Sequence, residues 1–261
     1  ALANVPITVL HQQLTRETSG RYWWVTDGAE VTAFLPQSPL GRAPYLAGRE
    51  RAAITALAEA VAESGVELPG VTGEAAAASA FASRWAESTG VPIHPADAQG
   101  IYLLDGLTPP ERPPSGTCRA ATPADLPTLV TWLDDMAVEV GGFRTSDREE
   151  AVARAIDDGG WHLWDDGAPV SAAHRYRAVA RHARVGPVYT PPDRRGRGYA
   201  AEATASGTAA IEAVGARAML FTQLANPTSN AIYRRLGYRQ VAEVLVYVFE
   251  DGGASVGFDS T

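Results

Sequence analysis

An apolar run, Val185-Gly-Pro-Val-Tyr-Thr190, leads into a Pro191-Pro192 turn and then into Arg195-Gly-Arg-Gly198-Tyr-Ala200. An alanine-rich segment follows and reads as a helix to about Val214. A strand, a glycine-punctuated basic loop and a helix start, in that order, call for an α/β fold with an open helix N-terminus. The first N–H groups of a helix have no partner inside it, and the helix dipole adds partial positive charge there. The glycines clear Cβ atoms from the approach to the backbone. Three arginines (Arg194, Arg195, Arg197) crowd this loop although the formal net charge of the chain is -8. That local reversal of sign points to a polyanionic ligand bound on backbone amides.

The acidic balance excludes general nucleic-acid binding, which needs a broad basic surface. Cys118 is the single cysteine of 261 residues, so no intramolecular disulfide and no cysteine metal cluster can form. It reads as a small buried apolar residue. No metal is expected. No run reaches the 18 apolar residues of a membrane span, and Ala1-Leu-Ala-Asn-Val5 lacks the pattern of a signal peptide. The expectation is a cytoplasmic protein, a monomer or homodimer, without membrane or nucleic-acid partners.

Leu107-Thr-Pro-Pro-Glu-Arg-Pro-Pro-Ser-Gly116 packs four prolines into ten residues and reads as a linker. It divides an N-terminal α/β domain (1–112) from a C-terminal domain (113–251), with a loose polar tail (252–261). In the first domain, strands are expected at 21–26 and 31–35 across Asp27-Gly28, helices at 50–63 and 73–88, and a strand at 100–104. No acid/base cluster or metal spacing occurs there. In the second, Thr122-Pro-Ala-Asp125 opens a helix to about Val140, followed by a helix at 147–157. Strands follow at 161–164, 169–177 and 182–190, then the arginine loop and its helix. A strand at 218–224, a helix from Ser229 to Leu236 stopped by Gly237, and a strand at 241–249 complete the order. Asp134-Asp135 and Asp157-Asp158 read as surface charge. Trp23, Trp24, Trp161 and Trp164 read as packing.

This order, with the Arg195–Ala200 hexad, resembles the GNAT acyltransferase superfamily, whose coenzyme A loop is Arg or Gln, two residues, Gly, one residue, then Gly or Ala. Asn226-Pro-Thr-Ser229-Asn-Ala-Ile-Tyr233-Arg-Arg-Leu-Gly237-Tyr238 resembles the later motif of the same superfamily. The likeness covers the last half of the chain. It implies an α/β (α+β) fold with a C-terminal GNAT-like mixed sheet flanked by helices. Two-domain members, the glycine N-acyltransferase-like branch among them, often carry a degenerate partner domain, so 1–112 is expected to be a degenerate GNAT-like half.

The resemblance implies an N-acyltransferase that moves an acetyl group from acetyl-CoA, as co-substrate, to the amine of a small molecule in a ternary complex. Pyrophosphate would lie on the N–H groups of Gly196, Arg197, Gly198, Tyr199 and Ala200, with Arg195 and its neighbours reaching phosphate oxygens. The pantetheine arm would pair with Val188, Tyr189 and Thr190, and Asn226 and Ser229 would line the same gap. Ser229 and Tyr233 are four apart and share a helix face. Tyr233 is the candidate general acid for the leaving thiolate, and a backbone N–H at Val188 or Tyr189 the oxyanion donor. Glu139 is the candidate base, with His174 as the other choice, and a water chain or a neutral amine would also suffice. A noncatalytic CoA-binding or sensing module and a protein N-acetyltransferase are the alternatives. The loop lacks the Gly-Lys-Ser/Thr ending of a nucleotide P-loop.

Overall fold

The computed structural model describes residues 20–38, 40–140 and 148–250. In chain order the elements are β1 (Arg21–Asp27), β2 (Glu30–Gln37), β3 (Tyr45–Gly48), α1 (Arg51–Glu63), β4 (Gly70–Glu74), α2 (Ala75–Thr89), β5 (Ile93–Leu104) and β6 (Thr117–Ala120). Then come α3 (Leu126–Glu139), α4 (Arg148–Asp157), β7 (Trp161–Asp165), β8 (Pro169–Arg175), β9 (His182–Tyr189), α5 (Tyr199–Ala213), β10 (Arg217–Gln223), α6 (Pro227–Arg235) and β11 (Tyr238–Phe249). These form mixed sheets flanked by helices, as the α/β (α+β) reading expects.

The chain divides into two compact units. The first comprises residues 20–101, 223–225 and 241–250, and the second residues 102–222 and 226–240. In the first, the strand order is β1-β2-β3-β4-β11-β5, with β5 contributing its residues 93–101. The Asp27-Gly28 turn makes the expected hairpin, with Trp23 opposite Leu35. β3 and β4 pair in parallel, and β11 closes β4 antiparallel from Val244 to Val248. Helices α1 and α2 bury Ile54, Leu57, Val61, Phe81 and Trp85 against Leu35, Leu46 and Val71. Trp85 stacks between Phe81 and Phe249, with ring centroids at 6.3 and 5.4 Å. β3 and β4 are short, and an expectation built on alternation misses them. Gly73 and Glu74, expected in a helix, end β4 because Gly73 packs against the Leu46 backbone, where a side chain would not fit.

In the second unit the order β10-β9-β8-β7-β6 holds one parallel pair, β9 with β10, and antiparallel pairs elsewhere. Alternate residues of β8 feed two cores, because successive side chains leave opposite faces of a strand. Ala173 joins Tyr102, Ala183, Val185, Ala203, Ile211 and Leu220 beneath α5. Ala172 joins Leu129, Leu133, Val152, Ile156, Trp161 and Leu163 beneath α3 and α4. Fully burying a side chain such as Ile211 contributes about 1.5–3 kcal/mol. Asp134 is more than surface charge: it pairs with the buried Arg148 at 3.2 Å, across α3 and α4. Cys118 packs with Trp164, Val170 and Tyr199, and burial pushes its thiol up.

The start of α3 is held by charge. Asp125 accepts from the Thr122 N–H at 2.8 Å and from its hydroxyl at 2.9 Å. Both oxygens of Asp125 accept from Arg119 at 2.8 Å, and Arg119 also donates to Asp165 at 2.9 Å. The Arg119 guanidinium, helped by Thr122, holds the Asp125 carboxyl down at about 2. An unfolded aspartate titrates near ~3.9. The stabilisation is therefore complete above that value and is lost as pH falls through about 2, a contribution of about 2 kcal/mol at neutral pH. Urea unfolding at pH 6 and pH 2.5 should show a larger loss for the wild type than for Asp125→Asn. Equal losses would remove Asp125 from the acid response.

Candidate functional site

β9 and β10 pair only where His182–Arg184 meet Arg217–Met219. Beyond that point β9 keeps β8 as its neighbour, with a register irregularity between Ala173 and Arg175, and Tyr189 opposite Ala172. The Ser171 hydroxyl donates to the Tyr189 carbonyl at 3.1 Å and shares a hydrogen bond with the Thr190 hydroxyl at 2.8 Å. The backbone of Tyr189 therefore faces β8. By strand alternation that of Val188 faces the other way, toward the side β10 has left.

The chain then turns at Pro192–Arg194 and enters α5 through Gly196 (φ 77°) and Gly198 (φ 89°). Both torsions are left-handed and suit glycine. Gly198 is the N-cap and supplies no side-chain cap, so the first N–H groups of α5 lack a capping side chain, and that of Ala201 turns back to the Gly198 carbonyl at 3.1 Å. A Cβ at Gly196 would meet nothing within 4 Å. The loop from Pro192 to Gly198 is exposed, Ala200 is half-buried and Tyr199 is buried. Tyr199 contributes its backbone here, while its hydroxyl donates to Asp166 at 2.8 Å. Asp166 also accepts from Ser115 at 2.8 Å, and these bonds, Tyr199 first, hold its carboxyl low. The ring of Tyr199 thus pins the helix start. Nothing in the Asp165-Asp166-Gly167 turn signals that role.

The three arginines behave differently. Arg195 folds back: Nε donates to the Thr190 carbonyl at 2.8 Å, and Nη2 meets both carboxylate oxygens of Glu139 at 2.8 and 2.7 Å. Its guanidinium lies 5.7 Å from the Tyr189 ring centroid. Arg194 pairs with Asp193 at 3.2 Å, and Arg197 donates to the Asp193 carbonyl at 3.2 Å. The Tyr189 hydroxyl also reaches Glu139 at 3.3 Å, and burial followed by the Glu139 charge raises its pKa. Glu139, Tyr189 and Arg195 therefore form one linked group at the end of β9. The Gly141-Gly142 part of the expected acceptor loop lies outside the described residues.

On α6 the Asn226 side chain caps the helix, accepting from the Ser229 N–H at 3.0 Å. Tyr233 is half-buried, packs against the core beneath α5, and meets Tyr238 edge-on at 6.3 Å. Burial pushes its phenol up to about 12, with a hydrogen bond to Ser229 working the other way. Tyr238 is tied to Thr208 at 2.6 Å. His174, the other candidate base, is buried between Trp161 at 4.9 Å and Tyr176 at 4.3 Å. Among the described residues no group of three or more His, Cys, Asp or Glu side chains is placed to hold a metal ion. No helix among them is long and apolar enough to cross a membrane.

Residues 171–247, which carry β9, the arginine loop, α5 and α6, match the FR47-like protein family. None of the curated proteins matches the chain. The fold is similar to that of a GCN5-related N-acetyltransferase from Sphaerobacter thermophilus, with TM-score 0.64 and 18% identity over 98% of this chain and 88% of that one. It is similar to a GCN5-related N-acetyltransferase from Kribbella flavida, with TM-score 0.63 and 19% identity over 95% of each chain. A GNAT-family acetyltransferase from Colwellia psychrerythraea gives TM-score 0.62 and 13% identity over 95% and 98%. At these identities the likeness is one of fold.

Proposed function

We propose that this chain belongs to the GNAT superfamily and moves an acetyl group from acetyl-CoA to the amine of a small molecule by direct attack in a ternary complex. The observation that carries the reading is the open, glycine-capped start of α5 following directly on the unpaired edge of β9. The N–H groups from Gly196 to Ala200 bind pyrophosphate, which the helix dipole favours. The free side of β9 at Val188 takes the pantetheine arm as an added strand, with Thr190 next in line. Asn226 and Ser229 face the same arm from α6.

The amine must arrive neutral, and its nitrogen bonds to the thioester carbonyl carbon. The Val188 N–H, on the open side of the strand, donates to the oxygen that gains charge. A donor of this kind is worth about 3 kcal/mol. The carbon–sulfur bond then breaks, and Tyr233 gives its proton to the departing sulfur. A phenol held near 12 keeps its proton throughout the neutral range. Glu139 is the proton acceptor. Its side chain stays 39% exposed at the end of β9, so water can carry the amine proton to it, while Arg195 and Tyr189 hold it in place.

Calorimetry with acetyl-CoA, followed by thiol release across an amine panel, tests this. Binding without thiol release from any amine would leave a CoA-binding module. No binding at all would end the proposal. Gly198→Val should weaken acetyl-CoA about tenfold to hundredfold, because a β-branched residue at φ 89° costs about 1–3 kcal/mol and shifts the loop. The nearest atoms to a Cβ there belong to Pro114 at 3.7 Å, so the loss comes from the backbone torsion and not from a clash.

A further inference from the structure

At the root of the gap between β9 and β10 lies a group of side chains that the acetyl-transfer steps do not use. Arg184 is the last β9 residue paired with β10. Its guanidinium lies 4.1 Å over the Tyr176 ring and 6.0 Å from that of Phe221 on β10. Tyr176 is 6% exposed and stacks edge-on with His174, which packs on Trp161. Among the described residues, Arg184 Nε and the Tyr176 hydroxyl are buried with no hydrogen-bond partner. No carboxylate among those residues pairs with Arg184.

Native interiors rarely leave such donors unmet, and two of them on side chains stacked against each other make a place for a bound acceptor group. A guanidinium seated on an aromatic face presents its fork of N–H groups edgewise, which matches a carboxylate. The Tyr176 hydroxyl adds a further donor on the same wall. We infer that Arg184 and Tyr176 bind the carboxylate of the acceptor, so that the acceptor is an amine that also carries a carboxylate. This rests on the acetyl-transfer reading for the other end of the acceptor.

The spacing narrows the class further. The Tyr176 N–H bonds the Arg184 carbonyl at 2.9 Å, so the two residues lie level across the strand pair. The guanidinium, stacked on Tyr176, stays level with its own Cα. Val188 lies four residues further along β9, about 13 Å at the rise of a strand, and the register irregularity shortens this somewhat. The reacting nitrogen and the carboxylate therefore sit several bonds apart, as in an ω-amino acid or a short peptide, and not on one carbon as in glycine.

The test is an acetylation series running from glycine to aminooctanoate, each member set against the alkylamine of equal length. The long ω-amino acids should exceed their alkylamines in kcat/KM by about tenfold to hundredfold. Arg184→Met should reduce that ratio to near one while acetyl-CoA affinity stays as in wild type. Tyr176→Phe, which keeps the ring under Arg184, should lower the ratio by a smaller factor. Turnover without a carboxylate preference, or a preference that survives Arg184→Met, overturns the inference and leaves acetyl transfer standing. If no amine is turned over, thermal shift with aminooctanoate on the CoA-loaded protein decides. A shift lost in Arg184→Met and reduced in Tyr176→Phe supports the site, and no shift in wild type, or one that survives Arg184→Met, overturns it.

Discussion

Tyr233→Phe is expected to slow thiol release from acetyl-CoA about 10²–10⁴-fold, the range for loss of a positioned proton donor. The substitution leaves the ring in the core beneath α5 and keeps its edge contact with Tyr238, so the fold has little reason to change. What goes is the hydroxyl and its hydrogen bond to Ser229. Acetyl-CoA affinity, assigned above to the backbone of the loop and of β9, should change far less than kcat. An acid must hold its proton to act. With the phenol at about 12, this group sustains activity at every pH below that value and fails only above it. A decline between pH 8 and 10 would have to come from another group. A wild-type rate in Tyr233→Phe would remove the phenol from the reaction.

Gly237→Ala should be the most damaging small change for stability. Gly237 ends α6 at φ 97°, between the buried Leu236 and Tyr238. A Cβ there would run into the Gly106 carbonyl oxygen. That oxygen cannot easily retreat. The Asp105 N–H is bonded to the Gly237 carbonyl at 3.0 Å and the Thr108 N–H to the Leu236 carbonyl at 3.1 Å, which clamps the 105–108 turn onto this junction. The torsion alone costs about 1–3 kcal/mol, and the clash carries the total into the rare range above about 4 kcal/mol. Tm should fall by about 10 °C or more. Gly215→Ala is the control. Gly215 has φ 72°, but nothing lies within 4 Å of its Cβ position, so that variant shows the torsion cost by itself. Equal Tm losses for the two would mean that the 105–108 turn yields freely.

The last half of the chain was legible because its signals are local. Glycines at 196 and 198, a proline pair before them, and Asn226-Pro227 ahead of a helix each determine their own backbone. The elements follow, with shifts of one to three residues at their ends. Arg195 shows what local pattern cannot reach. The sequence offers it to a phosphate, whereas in the fold its guanidinium lies on Glu139, 56 positions earlier, and on the Thr190 carbonyl. Asp134 and Arg148 meet in the same way, through packing that no spacing rule encodes. Tyr176 and Arg184 read as an ordinary strand end and an ordinary strand arginine. Only the register of β8 with β9 brings them level. In the first unit β3 and β4 were missed for a related reason, since four- and five-residue strands carry too little alternation to register and become strands by pairing.

The strand that completes the first unit is drawn from residues 244–248, against β4 at 70–74. During synthesis the ribosome must emit about 170 further residues, at 5–20 per second, before that edge of β4 can be covered. For roughly ten seconds or more the nascent chain carries an unzipped flank of backbone donors and acceptors, the kind of edge to which neighbouring chains can anneal. Maturation of the first unit is thus timed by the arrival of residues 244–248.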